Sequence, residues 1–442
     1  MTDDVTGRRS LAEELLSTRF GTDGPELVIG GVKARTLVAA FGSPLFVYDA
    51  AIMRDSYRRL ARAVDGFCEI HYSIKANPNP AVARLFVHEG AGIEIASAGE
   101  LQLAQQAGCP PSRILFAGPG KGEEELDAAI AAGIGEIHLE SFEELEACAR
   151  RAAARRCRVD VAIRINPGAS VQGGAMRMGG KPAAFGFDEE DLSTIVERVG
   201  QQEYLTLSGI HLFAGTQILD ARVLLAQWAH AISLAGHVTA MTGCPLKTID
   251  FGGGLGVPYH AGEVPLDLGV LRAGLPELRG HVARFPLLAT TRLLVEPGRF
   301  LTAEGGVYLA TVRAQKLSRG TRFIITDGGM HHHLAASGNL GQVVKRDYPL
   351  LAATRLGSKN CTPAVVAGPL CTPLDMIGRQ TPFPDMVAGD LVAVLQSGAY
   401  GLSASPVGFL SHPSPAEVMV DDGHMQLIRP RMDPPTMSAH PG

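Results

Sequence analysis

Short apolar runs at 68–74, 92–96, 114–117, 137–139, 161–165, 207–213, 248–251 and 293–295 punctuate the middle of the chain. Their length and β-branched content predict strands. Between most of them lie Ala-, Leu-, Glu- and Arg-rich stretches, at 98–107, 123–132, 141–155, 189–199 and 220–242, whose composition predicts helices. Strands alternating with helices predict parallel pairing with right-handed crossovers. Eight such units are the number in a (β/α)8 TIM barrel. A doubly wound open sheet has the same rhythm and stays open as the alternative.

After about Arg299 the rhythm changes. Short β runs at 307–312, 323–326, 364–367, 391–395 and 417–420 are separated by Gly, Pro, Asp and Ser, with no good helical stretch between them. This predicts a second, mostly antiparallel β domain. The domain organisation reads as an N-terminal segment over 1–45 that pairs with the β domain, a barrel over 46–300, the β domain over 301–428 and a disordered tail over 429–442. The run 43–49 reads as a strand, with Asp49 a cap for a helix through 54–64.

Composition narrows the class. The chain has 442 residues, 46% hydrophobic and 19% charged, with net charge −5 and both signs interspersed. This fits a soluble globular protein and gives no basic excess for nucleic acid. Seven cysteines, an odd number without paired metal-type spacing, favour reduced thiols in a cytoplasm over disulfides. Residues 1–18 lack the apolar core of a signal peptide, and no run is long enough to cross a bilayer, so no membrane partner is expected.

The chemistry centres on His71-Tyr72-Ser73-Ile74-Lys75-Ala76-Asn77-Pro78, where a strand delivers one lysine to its end and Asn-Pro turns the chain. Other predicted strands also end in polar or flexible groups: Glu94 in the second, Arg164 and Asn166 at the fifth, His211 in the sixth, Gly252-Gly253-Gly254 after the seventh and Glu296-Pro297-Gly298-Arg299 after the eighth. Barrels place active sites at these ends. The glycine run suits close approach of backbone N–H groups to a phosphate. A buried Glu296 suits a pyridine nitrogen, which it would keep protonated. Arg299 suits phosphate or a substrate carboxylate. Cys371, in the loop Gly368-Pro369-Leu370-Cys371-Thr372-Pro373-Leu374-Asp375, is a candidate reacting group, and Tyr400 a candidate phosphate donor. Together they point to a lysine that binds pyridoxal 5'-phosphate (PLP) as a Schiff base. His331-His332-His333 has no ligand spacing that suits a metal, and no metal is expected.

In this order the segments resemble the fold-type III PLP-dependent decarboxylases, the diaminopimelate and ornithine decarboxylase family. The matches are Tyr72-Ser73-Ile74-Lys75-Ala76-Asn77, Glu94-Ile95-Ala96-Ser97, Gly252-Gly253-Gly254, Glu296-Pro297-Gly298-Arg299, Gly368-Pro369-Leu370-Cys371 and Gly398-Ala399-Tyr400, spread over about 45–420. The resemblance implies an alanine racemase-like barrel plus β domain, and a head-to-tail homodimer with shared active sites. It implies L-amino-acid α-decarboxylation through a quinonoid, with Lys75 the Schiff-base lysine and Cys371 the proton donor in trans. Glu94, His211, Phe213, Thr216, Gly253, Gly254, Glu296, Arg299 and Tyr400 would surround the cofactor. Arg164, Asp327, Thr372 and Asp375 are assigned to the substrate.

Four departures point away from the usual substrate. Phe213 and Thr216 stand where the family has a ring-stacking His and a Ser. Thr372 replaces the Glu that reads the distal ammonium in diaminopimelate decarboxylases. Met330-His331-His332-His333-Leu334 follows Asp327-Gly328-Gly329 where an Arg-Pro motif is expected, and Phe409-Leu410 replaces Tyr-Asn. A buried carboxylate that pairs with an ammonium is worth several kcal/mol of selectivity. The pattern resembles a divergent branch that includes exosortase-associated decarboxylases and enzymes acting on amino acids tethered to a carrier protein. The loop 168–186, with Arg177 and Lys181, is the expected entrance for such a substrate. An amino-acid racemase on the same barrel and a non-catalytic PLP-binding or regulatory protein remain the alternatives.

Overall fold

The computed structural model describes residues 10–168, 182–213, 215–340, 342 and 344–433, together with the backbone of 176–177. The chain divides into two compact units, one of residues 54–257 and 264–301, the other of 1–53, 258–263 and 302–442.

The first unit is a closed parallel barrel. Its strands are β1 (Glu69–Ser73), β2 (Gly92–Ile95), β3 (Ile114–Phe116), β4 (Glu136–Leu139), β5 (Val159–Asn166), β6 (Leu205–Leu212), β7 (Thr248–Asp250) and β8 (Arg292–Val295). Each pairs in parallel with the next, and β8 returns to β1, which leaves no edge. All eight expected strands are present, and closure decides against the doubly wound alternative. These strands read as near-continuous apolar runs because helices cover one face and the other fills the barrel. A bulge at Ser208 shifts the register of β6 against β5. The crossover helices start where the sequence supplies caps: the Ser97 and Ser141 hydroxyls accept the amides of Glu100 and Glu144, both at 3.1 Å. The long helix Ala221–Thr242 lays Trp228 flat on Phe251, with ring centroids 5.1 Å apart.

In the other unit, the strand Gly306–Ser318 is the spine. It pairs antiparallel with Thr321–Thr326, Leu391–Val394 and Leu45–Asp49. Parallel pairs occur twice, between Thr321–Thr326 and Thr362–Ala367 and between Leu45–Asp49 and Ala416–Asp421, so the sheet is mixed. The strand 43–49 read from sequence therefore lies in this sheet and not in the barrel, although the expected boundary stood at residue 46. Asp49 does cap the following helix, accepting from the amides of Ala51 (3.0 Å) and Ile52 (3.2 Å). Leu27, Ile29 and Leu37 pack in one core with Val307, Leu309, Ala393 and Val418. Beyond residue 301, three strands were not anticipated: Leu350–Ala352, Met376–Phe383 and His424–Arg429. Gly378 and Pro382 mask the second of these. Residues 434–442 of the expected tail lie outside the described residues.

Candidate active site

At the end of β1 the chain tightens into a single 3-10 turn, Ile74–Ala76. The Tyr72 hydroxyl donates to the Asn77 carbonyl at 2.8 Å, and Asn79 caps the next helix through the Ala81 amide at 3.0 Å. Lys75 is thus carried on a braced turn. Its Nζ lies 3.0 and 2.9 Å from the two carboxylate oxygens of Glu94 on β2. The Ser73 hydroxyl donates to Glu94 Oε2 at 2.6 Å. The lysine side chain is 47% exposed while Glu94 is buried, so a fixed carboxylate holds an amine that opens to the outside.

The end of β8 packs directly on this turn. Ser73 N donates to Pro297 O at 3.3 Å, and a Cβ on Gly298 would lie 2.8 Å from that of Ala76. Arg299 is half-buried at the start of the short helix that follows. Glu296 is buried at the strand end, and His211 Nε2 on β6 approaches its Oε2 at 3.3 Å without the alignment of a hydrogen bond. Asp250 on β7 and His138 on β4 complete a buried set whose nitrogen and oxygen atoms lie within 4.8 Å of one another. Burial opposes charge on Glu296, but His211, and after it His138 and Lys75, hold its carboxyl well below the usual range. Burial and the neighbouring Glu296 push Asp250 far up. Burial also lowers His211. These donor types are ones a metal ion accepts.

Gly252-Gly253-Gly254 runs between these strand ends. Gly252 and Gly254 have φ of +66° and +92°, and a Cβ on Gly253 would lie 2.6 Å from the Glu296 carbonyl oxygen. Arg164 on β5 donates to Glu140 Oε1 at 2.7 Å. Its guanidinium lies 5.0 Å from the Phe185 ring centroid and 5.9 Å from that of Phe213. Burial raises Glu140, but Arg164 and Lys121 outweigh it and keep the carboxyl low. Thr216 is half-buried on a two-residue strand paired with 176–177. The Arg177 side chain and Lys181 lie outside the described residues.

Residues 51–303 match the family model for the pyridoxal-binding domain of pyridoxal-dependent decarboxylases. The chain belongs to this family. It is 39% identical over 398 residues to the L-glutamyl-[BtrI acyl-carrier protein] decarboxylase of Niallia circulans, covering 89% of this chain and 92% of the relative. It is 32% identical over 410 residues to the diaminopimelate decarboxylase of Aquifex aeolicus, covering 92% and 93%. Among solved structures, diaminopimelate decarboxylase from M. jannaschii in complex with L-lysine superposes with a TM-score of 0.85 at 25% identity, covering 94% and 95%. As a member of the pyridoxal-dependent decarboxylases, the protein is a carboxy-lyase whose cofactor is PLP. The residues fit that group: Glu296 Oε1 is buried with no hydrogen-bond partner, an acceptor suited to a protonated ring nitrogen.

The other predicted residues of this decarboxylase belong to the β unit. Cys371 is exposed on its loop, and Thr372 is half-buried beside it. Asp375 is buried and accepts the Met330 amide at 2.6 Å and the Leu370 amide at 2.9 Å. Its carboxylate is thereby a clamp on the cysteine loop. Asp327 accepts from the Thr311 amide at 2.8 Å and the Ser43 hydroxyl at 3.1 Å. Tyr400 is half-buried with φ of +53°. The three consecutive histidines are buried, with His332 against the Pro413 carbonyl (3.1 Å) and His333 against the Ser397 hydroxyl (3.0 Å).

Sequence reading missed Glu136, His138, Glu140 and Asp250. Their signal is alternation: Glu136-Ile137-His138-Leu139-Glu140 and Thr248-Ile249-Asp250 place polar groups two apart in strands buried on both faces.

Proposed function

We propose that the protein decarboxylates the α-carbon of an L-amino acid held as a thioester on a carrier protein. Lys75 is the attachment point for PLP. The buried Glu296 carboxyl, with Oε1 unpartnered at the end of β8, is what carries this reading. It would give a ring nitrogen a charge-assisted partner, and its neighbours favour its charged form while burial disfavours that of Asp250. PLP, when bound, supplies the electron sink that accepts the charge left as the Cα–carboxylate bond breaks. Glu94 holds the Lys75 amine at 2.9–3.0 Å and is positioned to steady it when substrate takes its place. Gly253, Gly254, Arg299 and Tyr400 are assigned to the phosphate, and Phe213, with Thr216 and His211 near it in sequence, to the ring. Cys371 is assigned the return of a proton to Cα in the neighbouring subunit of a head-to-tail homodimer. Arg164 and Thr372 are assigned to the substrate; Asp327 and Asp375 are assigned there too, with their carboxylates already engaged by their own unit.

Two observations favour a tethered substrate. The relative that shares 39% identity bears the name of an enzyme acting on a carrier-bound glutamyl group, whereas diaminopimelate decarboxylases share 28–33%. By the family resemblance, Thr372 stands where diaminopimelate decarboxylases carry the Glu that reads the distal ammonium. Among the described residues no helix is long and apolar enough to cross a membrane, and all seven cysteines are free. Both accord with a cytoplasmic enzyme.

The test is CO₂ release by purified, PLP-loaded protein. The panel holds free diaminopimelate, lysine, ornithine, arginine and glutamate, and the same acids as carrier-protein thioesters. Release from a thioester at least about tenfold above the free acid is expected. Efficient release from a free diamino acid overturns the carrier reading. Gel filtration and cross-linking test the dimer.

A further inference from the structure

The interior of the barrel holds a carboxylate that the decarboxylation chemistry does not use. Glu136, the first residue of β4, is buried, 2% exposed. Its Oε2 accepts the hydroxyls of Ser208 on β6 and Thr248 on β7, both at 2.6 Å. Its Oε1 lies 3.2 Å from His138 Nε2. Gly209 makes the room: a Cβ there would stand 2.0 Å from Thr248 Oγ1 and 3.1 Å from Glu136 Oε2. Burial opposes the charge, yet His138, Ser208 and Thr248 hold the carboxyl below its usual range. Three strands therefore cooperate to keep one anion buried inside the barrel. Apolar side chains of the same volume would fill that space at less cost.

From Glu136 the buried polar groups continue in one direction. The anion accepts the Nε2–H of His138, which fixes that ring's tautomer and its plane. The His138 ring packs on His211, with centroids 4.5 Å apart and planes tilted by 39°. His211 Nε2 faces Glu296 Oε2 at 3.3 Å. His138 Nδ1 and both His211 nitrogens have no hydrogen-bond partner, so packing and the two end carboxylates are what orient these rings.

We propose that Glu136 is a positioning residue that acts through His138 and His211 on Glu296, fixing the carboxylate that meets the cofactor's ring nitrogen. The proposal rests on the reading of Glu296 given above. Glu136 touches neither cofactor nor substrate. It sets the orientation of the first imidazole, the first imidazole sets the second, and the second, facing Oε2 at 3.3 Å, sets the geometry of Glu296.

The test is a double-mutant cycle on the PLP-loaded enzyme. Glu136→Gln keeps the shape and removes the charge. The readouts are the visible absorbance of the lysine-bound cofactor, the Kd for PLP, and kcat and KM. Glu136→Gln alone should shift the absorbance, weaken PLP about tenfold and lower kcat with KM within about twofold. In a Glu296→Gln background the same change should add little. Glu144→Gln is the control: Glu144 is another buried barrel carboxylate, paired with Lys121 at 2.7 Å and outside the line. It should affect melting temperature and leave the absorbance alone. Should Glu136→Gln not fold, Thr248→Val removes one donor at nearly constant shape and should move the spectrum in the same direction by less. An unchanged spectrum in the folded variant, or effects that add fully to those of Glu296→Gln, overturns the proposal. If Glu296→Gln itself leaves spectrum and PLP affinity unchanged, the reading of Glu296 fails first, and the two failures are thus distinguished.

Discussion

Two parts of this molecule bury histidines, and they bury them in different company. In the barrel, His138 and His211 lie between carboxylates, Glu136 at one end and Glu296 with Asp250 at the other. In the β unit, His331, His332 and His333 are equally buried, but the bonds to His332 and His333 come from a carbonyl, hydroxyls and an amide. Burial holds these three imidazoles down, to about 4 for His331 and about 3 for the other two, so they are neutral packing groups. The same residue type is a spacer where its neighbours are neutral and part of a charge-setting line where they are ionised. Three histidines in a row catch the eye in the sequence; His138, alone in its short strand, does not.

The contrast can be broken most decisively at the lysine. Lys75→Ala should remove at least about 10³-fold of turnover and the visible absorbance of bound PLP, with folding intact. Circular dichroism and absorbance on one sample decide it, and retained turnover removes Lys75 from its role. Next comes Glu296→Gln, expected to cost about 10²–10³-fold in kcat, as loss of one preorganised electrostatic contact does elsewhere. A loss confined to KM argues for substrate binding instead. On the other side, His333→Phe should cost about 1–3 kcal/mol in denaturant unfolding, since it takes the acceptor from the Ala336 amide and one partner from the Ser397 hydroxyl, while leaving cofactor absorbance unchanged. A changed spectrum with unchanged stability would erase the distinction between the two sets.

The smallest expected effect is with pH. The β-unit imidazoles bind protons more weakly folded than unfolded, where they titrate near 6.5. Unfolding therefore takes up protons, and their contribution is complete above about pH 6.5 and lost progressively as pH falls from there towards 4 for His331 and towards 3 for His332 and His333. Unfolding midpoints measured across that window should decline in wild type and decline less in His331→Phe. An identical slope in both would show that His331 is not buried as a neutral ring.

All eight barrel strands were legible because each is a compact apolar run closed by a turn, and the parallel pattern needs both faces buried. The polar strand ends were legible for the same reason, since Lys75, Glu94, His211 and Glu296 interrupt runs that otherwise lack charge. What stayed hidden was pairing in space. Nothing in the spacing of Lys75 and Glu94 says that they meet at 2.9 Å; that follows only once β1 and β2 are aligned. Glu136 and Asp250 were passed over because each stands at one end of an apolar core and reads as an ordinary strand-end residue. The strand Leu45–Asp49 was assigned by its position ahead of the barrel, but its partners lie far downstream. Met376–Phe383 was lost to its own Gly and Pro.

That last kind of pairing bears on how the protein is made. Leu45–Asp49 leaves the ribosome early, yet its neighbours Gly306–Ser318 and Ala416–Asp421 follow only after the entire barrel has been synthesised. At roughly 5–20 residues per second the strand waits on the order of tens of seconds with both edges unsatisfied. The barrel is the interval that separates them, and its own contacts are between successive units. A nascent chain that delays in completing the barrel thus exposes an unpaired, largely apolar β-strand for longer, and slow or arrested translation within 54–301 is where this protein is most exposed to misassembly.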